Sequence, residues 1–263
     1  MYTISIYNNK GGVGKTTITG ILGAYLAIKG KNVLMVDADP QGNLSTQFIK
    51  DFDTELVDFL KDDSYQEDVG KVIYSTIYEN LYICPTKAFN RDAGLANWIN
   101  SESTKTANQD IFDFFIEQVS KLNISSENGE LKKFDYVIYD VHPADSEMKQ
   151  KIVLSSNEVI PVLQVAKSSL DGFTEFYNSF KALTKRRKTT IFEKIVFNMI
   201  DKRTTVTKAL MPLIENLNFQ KYFFPRDEAF RKAETKACSV FEFDIKEDTV
   251  TAIESLANDI LNK

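Results

Sequence analysis

Short apolar runs alternate with stretches of helical period along almost the whole chain. Residues 2–7 (YTISIY) are β-rich and lead into a Gly-rich turn, after which Ile18, Ile21, Leu22, Tyr25 and Leu26 recur at helical spacing through residues 16–29. This predicts strand, loop, helix. Residues 33–36 form a continuous apolar run ending in Asp37, the pattern of a parallel strand buried on both faces with an acid at its C-terminal tip. Joined through the helix, the two strands make a right-handed βαβ unit. Further strand-like runs at residues 81–84, 136–139, 159–165 and 195–197 are separated by helical stretches. The alternation predicts an α/β fold, a single domain over residues 1–263 with a mostly parallel twisted sheet and helices on both faces. In such sheets ligands bind beyond the carboxyl ends of the strands. Residues 100–133 read as an excursion within that domain: a helix carrying Ile111, Phe112, Phe115 and Val119, then a surface turn at Ser125, Ser126, Asn128 and Gly129. Neither a repeat nor a Pro/Gly-rich linker marks a domain boundary.

Composition removes several function classes. At 263 residues and 43% hydrophobic content the chain buries enough surface to fold without disulfides or a structural metal. Its two cysteines, Cys84 and Cys238, are far apart and form no CxxC pair, which argues against a zinc ribbon or a secreted disulfide framework and for a reducing compartment. The single histidine, His142, leaves no basis for a multi-histidine metal site. No apolar run reaches the length of a membrane span, and the N-terminus has no basic n-region or cleavage site, so a cytoplasmic location is expected. The charge, 32 basic against 37 acidic residues, is unevenly spread. Residues 181–236 hold 14 basic and 6 acidic side chains, net +8, an asymmetry that points to contact with nucleic acid or another polyanion.

The chemistry concentrates at residues 10–17, KGGVGKTT, directly after a predicted strand and before a predicted helix. There Gly11, Gly12, Val13 and Gly14 allow backbone N–H groups to encircle phosphate oxygens, and the helix N-terminus adds its partial positive charge. Lys15 would reach the β and γ phosphates of a nucleotide, the Thr16 hydroxyl would ligate Mg2+, and Thr17 would touch the α phosphate. The loop departs from the ordinary GxxxxGK[ST] pattern, because Asn9 occupies the first Gly position and a second lysine, Lys10, precedes the glycines. With KGGxGK[ST] as the shared signature, the chain resembles the deviant Walker A P-loop ATPases of the ParA/MinD family. The resemblance implies ATP and Mg2+ as cofactors, ATP hydrolysis, and an ATP-sandwiched homodimer in which Lys10 reaches the partner subunit's nucleotide.

The likeness extends through later motifs. Residues 37–43 (DADPQGN) look like the family's switch I. By that resemblance Asp37 supports the metal through its water shell and Asp39 positions the attacking water, while an Asp before Pro also fits a helix cap. Residues 134–140 (FDYVIYD) form a hydrophobic strand ending in an acid, a Walker B candidate whose Asp140 holds Mg2+ through water. The family continues with two prolines where this chain has His142 and Pro143, and a lone strand-end histidine is either structural or a proton carrier. Residues 197–201 (FNMID) resemble the segment whose Asn, here Asn198, reads adenine. Residues 223–229 (FFPRDEA) resemble the adenine-covering loop, with Pro225, Arg226 and Asp227 at the matching positions. An Asn amide donates and accepts, which suits a purine edge and equally suits a helix cap. Beyond that loop the family's Glu-Ala is Lys232 and Ala233, and a usual Gly is Ala237.

Members of this family divide by what they bind. A MinD-like member carries a basic amphipathic tail for membranes. Here the stripe Val250, Ile253, Leu256, Ala257, Ile260 and Leu261 has Asp248, Glu254, Asn258 and Asp259 beside it, a face repelled by anionic lipid and suited to core packing. ParA-like members bind DNA without sequence preference, and Arg203 lies where they place a DNA-binding arginine. Lys185, Arg186 and Arg187 form a basic cluster after a predicted helix bearing Leu170, Phe173, Phe176 and Phe180, although dipole compensation explains such a cluster equally. The nitrogenase iron protein shares the fold but uses two cysteines near the Walker B strand, where this chain has none. The expectation is a ParA-type partition ATPase, cytoplasmic and nucleoid-associated. ATP would drive dimerisation on non-specific DNA, and a ParB-like or other small adaptor would stimulate the hydrolysis that releases it. No helix-turn-helix precedes Tyr2, so operator binding is not expected, nor is a membrane partner. A ParA-like ATPase that positions a protein cargo, such as a carboxysome or chemoreceptor cluster, is the alternative.

Overall fold

In the computed structural model, residues 1–88, 94–100, 111–125, 129–144, 146–166, 173–174, 177–178, 180–182 and 190–263 are described. Their strands in chain order are β1 (Tyr2–Tyr7), β2 (Val33–Ala38), β3 (Tyr74–Ser75), β4 (Leu81–Cys84), β5 (Ile124–Ser125), β6 (Leu131–Lys132), β7 (Tyr136–Val141), β8 (Glu158–Gln164), β9 (Lys194–Ile200) and β10 (Gln220–Pro225). Eight of them form one sheet in the order β10-β9-β8-β1-β7-β2-β4-β3, parallel throughout except at the β3–β4 edge. β5 and β6 pair apart from it as an antiparallel hairpin. The mostly parallel α/β architecture read from the sequence is the one observed.

The continuous apolar runs mark the centre of the sheet. Every residue of β2 and β7 is buried, because helices cover both faces and leave no position for a polar alternation. Successive side chains still divide between the faces. Met35 and Ile138 join Ile18, Leu22 and Leu26 of the helix α1 (Lys15–Ile28), which is buried nearly all round, and Ile253, Leu256 and Ile260 of the helix Glu247–Leu261. Leu34, Val36, Val137 and Tyr139 meet Phe112, Phe115 and Val119 of the helix Ile111–Lys121 on the other face. Each such side chain contributes on the order of 1.5–3 kcal/mol by leaving water. The terminal helix packs its stripe into this core, as its acidic flanks predicted.

Pro161 sits inside β8, between β1 and β9, where a missing N–H is normally excluded. Val159 donates to Ile191 on the β9 side, so the alternation aims position 161 the same way. The continuous β8–β9 ladder begins only at Val162, after the proline, and the lost donor falls in that gap.

Two local expectations change. Residues 223–225, read as part of a loop, lie in β10, whose inward Tyr222 and Phe224 alternate with half-buried Lys221, Phe223 and Pro225. Aromatic residues on both faces hide the period of two. Ser125 belongs to the small hairpin rather than to a turn, and Gly129 turns it with φ 75°. Ser126, Asn128, Leu170 and Phe176 lie outside the described residues.

What the sheet does for function is set by register. Ile6 of β1 and Asp37 of β2 both pair with Asp140 of β7, so the loop after β1 and two carboxylates emerge at one level of the carboxyl edge.

Candidate functional site

The loop joining β1 to α1 is held open by its own side chains. Asn8 is buried, donates to the Val162 carbonyl and accepts the Lys10 N–H at 2.7 Å. Gly14, at φ 96°, is the N-cap of α1, and a Cβ there would fall 2.1 Å from Asn198 Nδ2, so only glycine fits. The first turn of α1 carries no acidic residue and no side-chain cap, which leaves its N–H groups and partial positive charge available to an anion. Lys15 is buried and donates to the Lys10 carbonyl at 3.3 Å. Burial lowers its pKa, opposed by Asp140 and Asp39.

Asp140 and Asp37 are both fully buried. Asp140 Oδ2 accepts the Thr16 hydroxyl at 2.6 Å, while its Oδ1 has no hydrogen-bond partner among the described residues. Burial first, and then the Asp37 charge, push the Asp140 pKa up to about 8. Asp37 Oδ2 accepts the Ser45 N–H at 2.8 Å and the Ser45 hydroxyl at 2.6 Å; burial still raises its pKa to about 7. An orphaned buried oxygen beside a second acid and a hydroxyl is a donor set that fits Mg2+. Among the described residues no group of three or more His, Cys, Asp or Glu side chains forms a self-sufficient metal site. That is the expected arrangement for a cation shared with nucleotide phosphates and water.

Asp39 is buried at the cleft wall, and its Oδ1 accepts the Gln41 N–H at 3.0 Å. The N-cap of the next helix, α2 (Asn43–Phe48), is Gly42, so Asp39 holds a turn rather than a helix end. His142 Nε2 stands 4.0 Å from Asp39 Oδ1, and its Nδ1 accepts the Ala144 N–H at 3.0 Å. Burial, with Lys15 and Lys149 nearby, lowers the His142 pKa against the pull of Asp39. With Nδ1 accepting from Ala144, Nε2 is the ring nitrogen that presents its proton toward Asp39.

Gly11, Gly12, Gly14, Lys15, Thr16, Thr17, Asp39 and Pro143 line a cleft of about 300 Å³. It shares Thr17, Met199, Phe230 and Glu234 with a groove of about 1200 Å³ that reaches Asn198, Arg203, Pro225, Arg226 and Asp227. The phosphate end and the expected base end are thus continuous. Val13 lies beneath the loop, its carbonyl accepting Asn198 Nδ2 at 3.0 Å. Asn198 Oδ1 accepts the Met199 N–H at 2.8 Å, so its amide braces the loop from below. Asp227 caps the helix Glu228–Lys236 through Ala229 and ties it to Lys246 and Thr249, a bracing role in this structure. Pro225 ends β10, and Arg226 is exposed at the groove. Arg203 is 90% exposed on the rim and makes a bidentate pair with Asp201, at 2.9 and 2.7 Å. Lys185, Arg186 and Arg187 lie outside the described residues.

Lys149 is the site residue that sequence reasoning missed. It is buried on the helix Glu147–Ser155 and donates to Asn9 Oδ1 at 2.8 Å. Its neighbours Lys151 and Gln150 suggest a solvated face, but Lys149 shares the helical stripe of Met148, Ile152 and Val153. That spacing is the available signal.

A phosphate-cradling loop at a helix N-terminus, with acids at adjacent strand tips, defines a P-loop nucleotide-binding protein. Residues 1–193 match a family model described as an AAA domain. The sporulation initiation inhibitor protein Soj of Bacillus subtilis (strain 168) is 31% identical over 232 residues, covering 87% of this chain and 81% of that protein. The chromosome-partitioning ATPase Soj of Treponema pallidum (strain Nichols) is 27% identical over 264 residues, covering 98% and 96%. Among solved structures, MinD with Mg-ADP from Pyrococcus horikoshii superposes with a TM-score of 0.73 at 23% identity, covering 98% and 95%. The ATP complex of a Cyanothece McdA variant gives 0.78 at 18%, covering 99% and 96%. The chain belongs to the ParA/MinD family of deviant Walker A ATPases.

Proposed function

We propose that this protein is a ParA-type partition ATPase whose ATP-bound homodimer binds non-specific DNA and is released by adaptor-stimulated hydrolysis. The observation that carries the reading is a two-lysine phosphate loop set against buried Asp140 and Asp37 at one sheet edge. Lys15 and the α1 amides hold the phosphates, Thr16, Asp37 and Asp140 hold Mg2+, and Lys10 serves the partner subunit's nucleotide. The cation would supply charge neutralisation at the phosphates. Asp39 orients the attacking water, with His142 beside it. Asn198, Pro225, Arg226 and Asp227 frame the base end of the groove. DNA contact is supported by the net +8 of residues 181–236, by exposed Lys202, Arg203 and Lys208, and by the Treponema relative, which is named as chromosome-partitioning. The partner is a small DNA-bound adaptor, and the location is the nucleoid-containing cytoplasm. Among the described residues no helix is long and apolar enough to cross a membrane, and the terminal helix spends its apolar stripe on the core.

Light scattering of the purified chain with ATP, ADP and no nucleotide tests the reading. A dimer should form with ATP alone, Lys15→Ala should abolish it, and Lys10→Ala should weaken dimerisation and hydrolysis while sparing nucleotide binding by the monomer. A Lys10→Ala protein that dimerises and turns over normally removes the cross-subunit role.

A further inference from the structure

Three segments of the site meet on one ammonium. Lys149 is 1% exposed; its Nζ donates to Asn9 Oδ1 at 2.8 Å and to the Pro143 carbonyl at 3.3 Å, and lies 4.9 Å from the Tyr7 ring centre. The Tyr7 hydroxyl donates to the same Asn9 oxygen at 2.7 Å. Lys149 thereby joins the end of β1, the entrance of the phosphate loop and the turn that follows Asp140. An ammonium surrenders strong hydration when buried, so a methionine of similar length would fill this space more cheaply if shape were the only requirement.

The sequence makes Asn9 and Lys149 a matched pair. Asn9 occupies the position where the ordinary phosphate-loop pattern has its first Gly, a residue with no side chain to receive a lysine. What Asn9 holds in place matters to the chemistry. The next residue is Lys10, whose N–H is fixed by Asn8 and whose carbonyl receives Lys15 Nζ. Pro143, the other acceptor, follows His142, which faces Asp39.

We propose that Lys149 is a positioning residue that ties the phosphate loop to the His142–Pro143 turn after Asp140, setting Lys10 for the partner subunit's nucleotide. The inference rests on the ATP-dimer reading above. Through Pro143 the same ammonium couples the placement of Lys10 to the segment that holds His142 against Asp39. Loop entry and the turn after Asp140 then move together or not at all.

The test compares Lys149→Met, Asn9→Ala and the double variant with the wild-type chain. The readouts are binding of a fluorescent ATP analogue, ATP-dependent dimerisation, KM, kcat and melting temperature. Each variant should bind the analogue within about threefold of wild type, dimerise about tenfold more weakly and fall about tenfold in kcat with little change in KM. The double variant should be no worse than Lys149→Met, which already removes the Asn9 hydrogen bond together with the one to Pro143. A lysine that is merely structural would lower the melting temperature while leaving dimerisation and kcat per folded molecule unchanged, and that result overturns the proposal. Effects that add in the double variant overturn it as well. Should Lys149→Met fail to fold, Asn9→Ala decides alone, since Asn9 is exposed. A wild-type chain that does not dimerise with ATP removes the functional reading and this inference together. A wild type that dimerises alongside unaffected variants removes only the role of Lys149.

Discussion

The Thr16 hydroxyl donates to one oxygen of Asp140 at 2.6 Å, and the other oxygen of the same buried carboxylate accepts from no group among the described residues. With Asp37 opposite it across the β2–β7 ladder, Asp140 is half of a buried acidic pair that the nearby Lys15 charge only partly offsets. Such a pair titrates as a unit, and both members are held toward the protonated form.

Stability should therefore depend on pH in the absence of metal. The unfolded chain ionises these acids near about 4, whereas the fold retains their protons up to about 7 and about 8. Their contribution is fully present below the unfolded value and is lost as pH rises through the folded ones. The slope is up to roughly 1.4 kcal/mol per pH unit for each proton retained only in the fold. Mg2+ with nucleotide displaces those protons, so its stabilisation should be larger near pH 8 than near pH 5.5. Thermal melts in EDTA and in MgATP at both pH values check this. An equal gain at both would detach the acids from the metal.

Asp39→Ala should bind ATP and dimerise while hydrolysing about 10²-fold more slowly or worse, because the phosphate cradle is left intact. Its turn hydrogen bond to Gln41 carries on the order of 1 kcal/mol, so the melting temperature should fall only slightly. Single-turnover hydrolysis with DNA and adaptor present is the measurement. Normal turnover would reduce Asp39 to a turn-forming residue.

Ala237→Gly should stabilise the protein. Ala237 closes the helix Glu228–Lys236 at φ 51°, with Cys238 N–H bonded to the Ala233 carbonyl and Ala237 N–H to that of Glu234. This is the left-handed end at which glycine is preferred, and a Cβ there costs roughly 1 kcal/mol. Denaturant unfolding should move to a higher midpoint with unchanged slope. No gain would mean that the unfolded-state entropy of glycine cancels the relieved strain.

The sequence is most legible where function is contiguous. KGGVGKTT between a strand and a helix, and runs ending in Asp37 and Asp140, need only neighbours in the chain to be read, and the sheet places them together. Pairings between distant residues stay hidden. Asn198 reads as an adenine contact in the sequence; that its amide also lies against Gly14 and the Val13 carbonyl follows from the β8–β9 register, which no local pattern encodes. The charge of Lys149 hides its place in a buried stripe. β10 reads as loop because aromatic residues on both faces cancel the strand period.

Arg203 offers the most quantitative test of DNA contact, and its pairing with Asp201 sharpens it. The guanidinium is 90% exposed, so the pair is screened by solvent and contributes little to the fold, yet Asp201 occupies its Nε–Nη2 edge. Phosphate oxygens must either displace that carboxylate or share the guanidinium with its negative charge. Arg203→Ala should weaken binding to any duplex and flatten the slope of log affinity against log salt by about 0.9 for each phosphate left without its arginine, summed over both subunits of a dimer. Asp201→Asn should do the opposite to affinity, because the arginine no longer has a competing anion. ATP turnover without DNA should stay near wild type in both. Titrating a labelled random-sequence duplex at several salt concentrations, with ATP and with ADP, separates the outcomes. Opposite shifts in the two variants, seen only with ATP, assign Arg203 to the phosphate backbone. Equal binding in both nucleotide states removes the link between dimerisation and DNA.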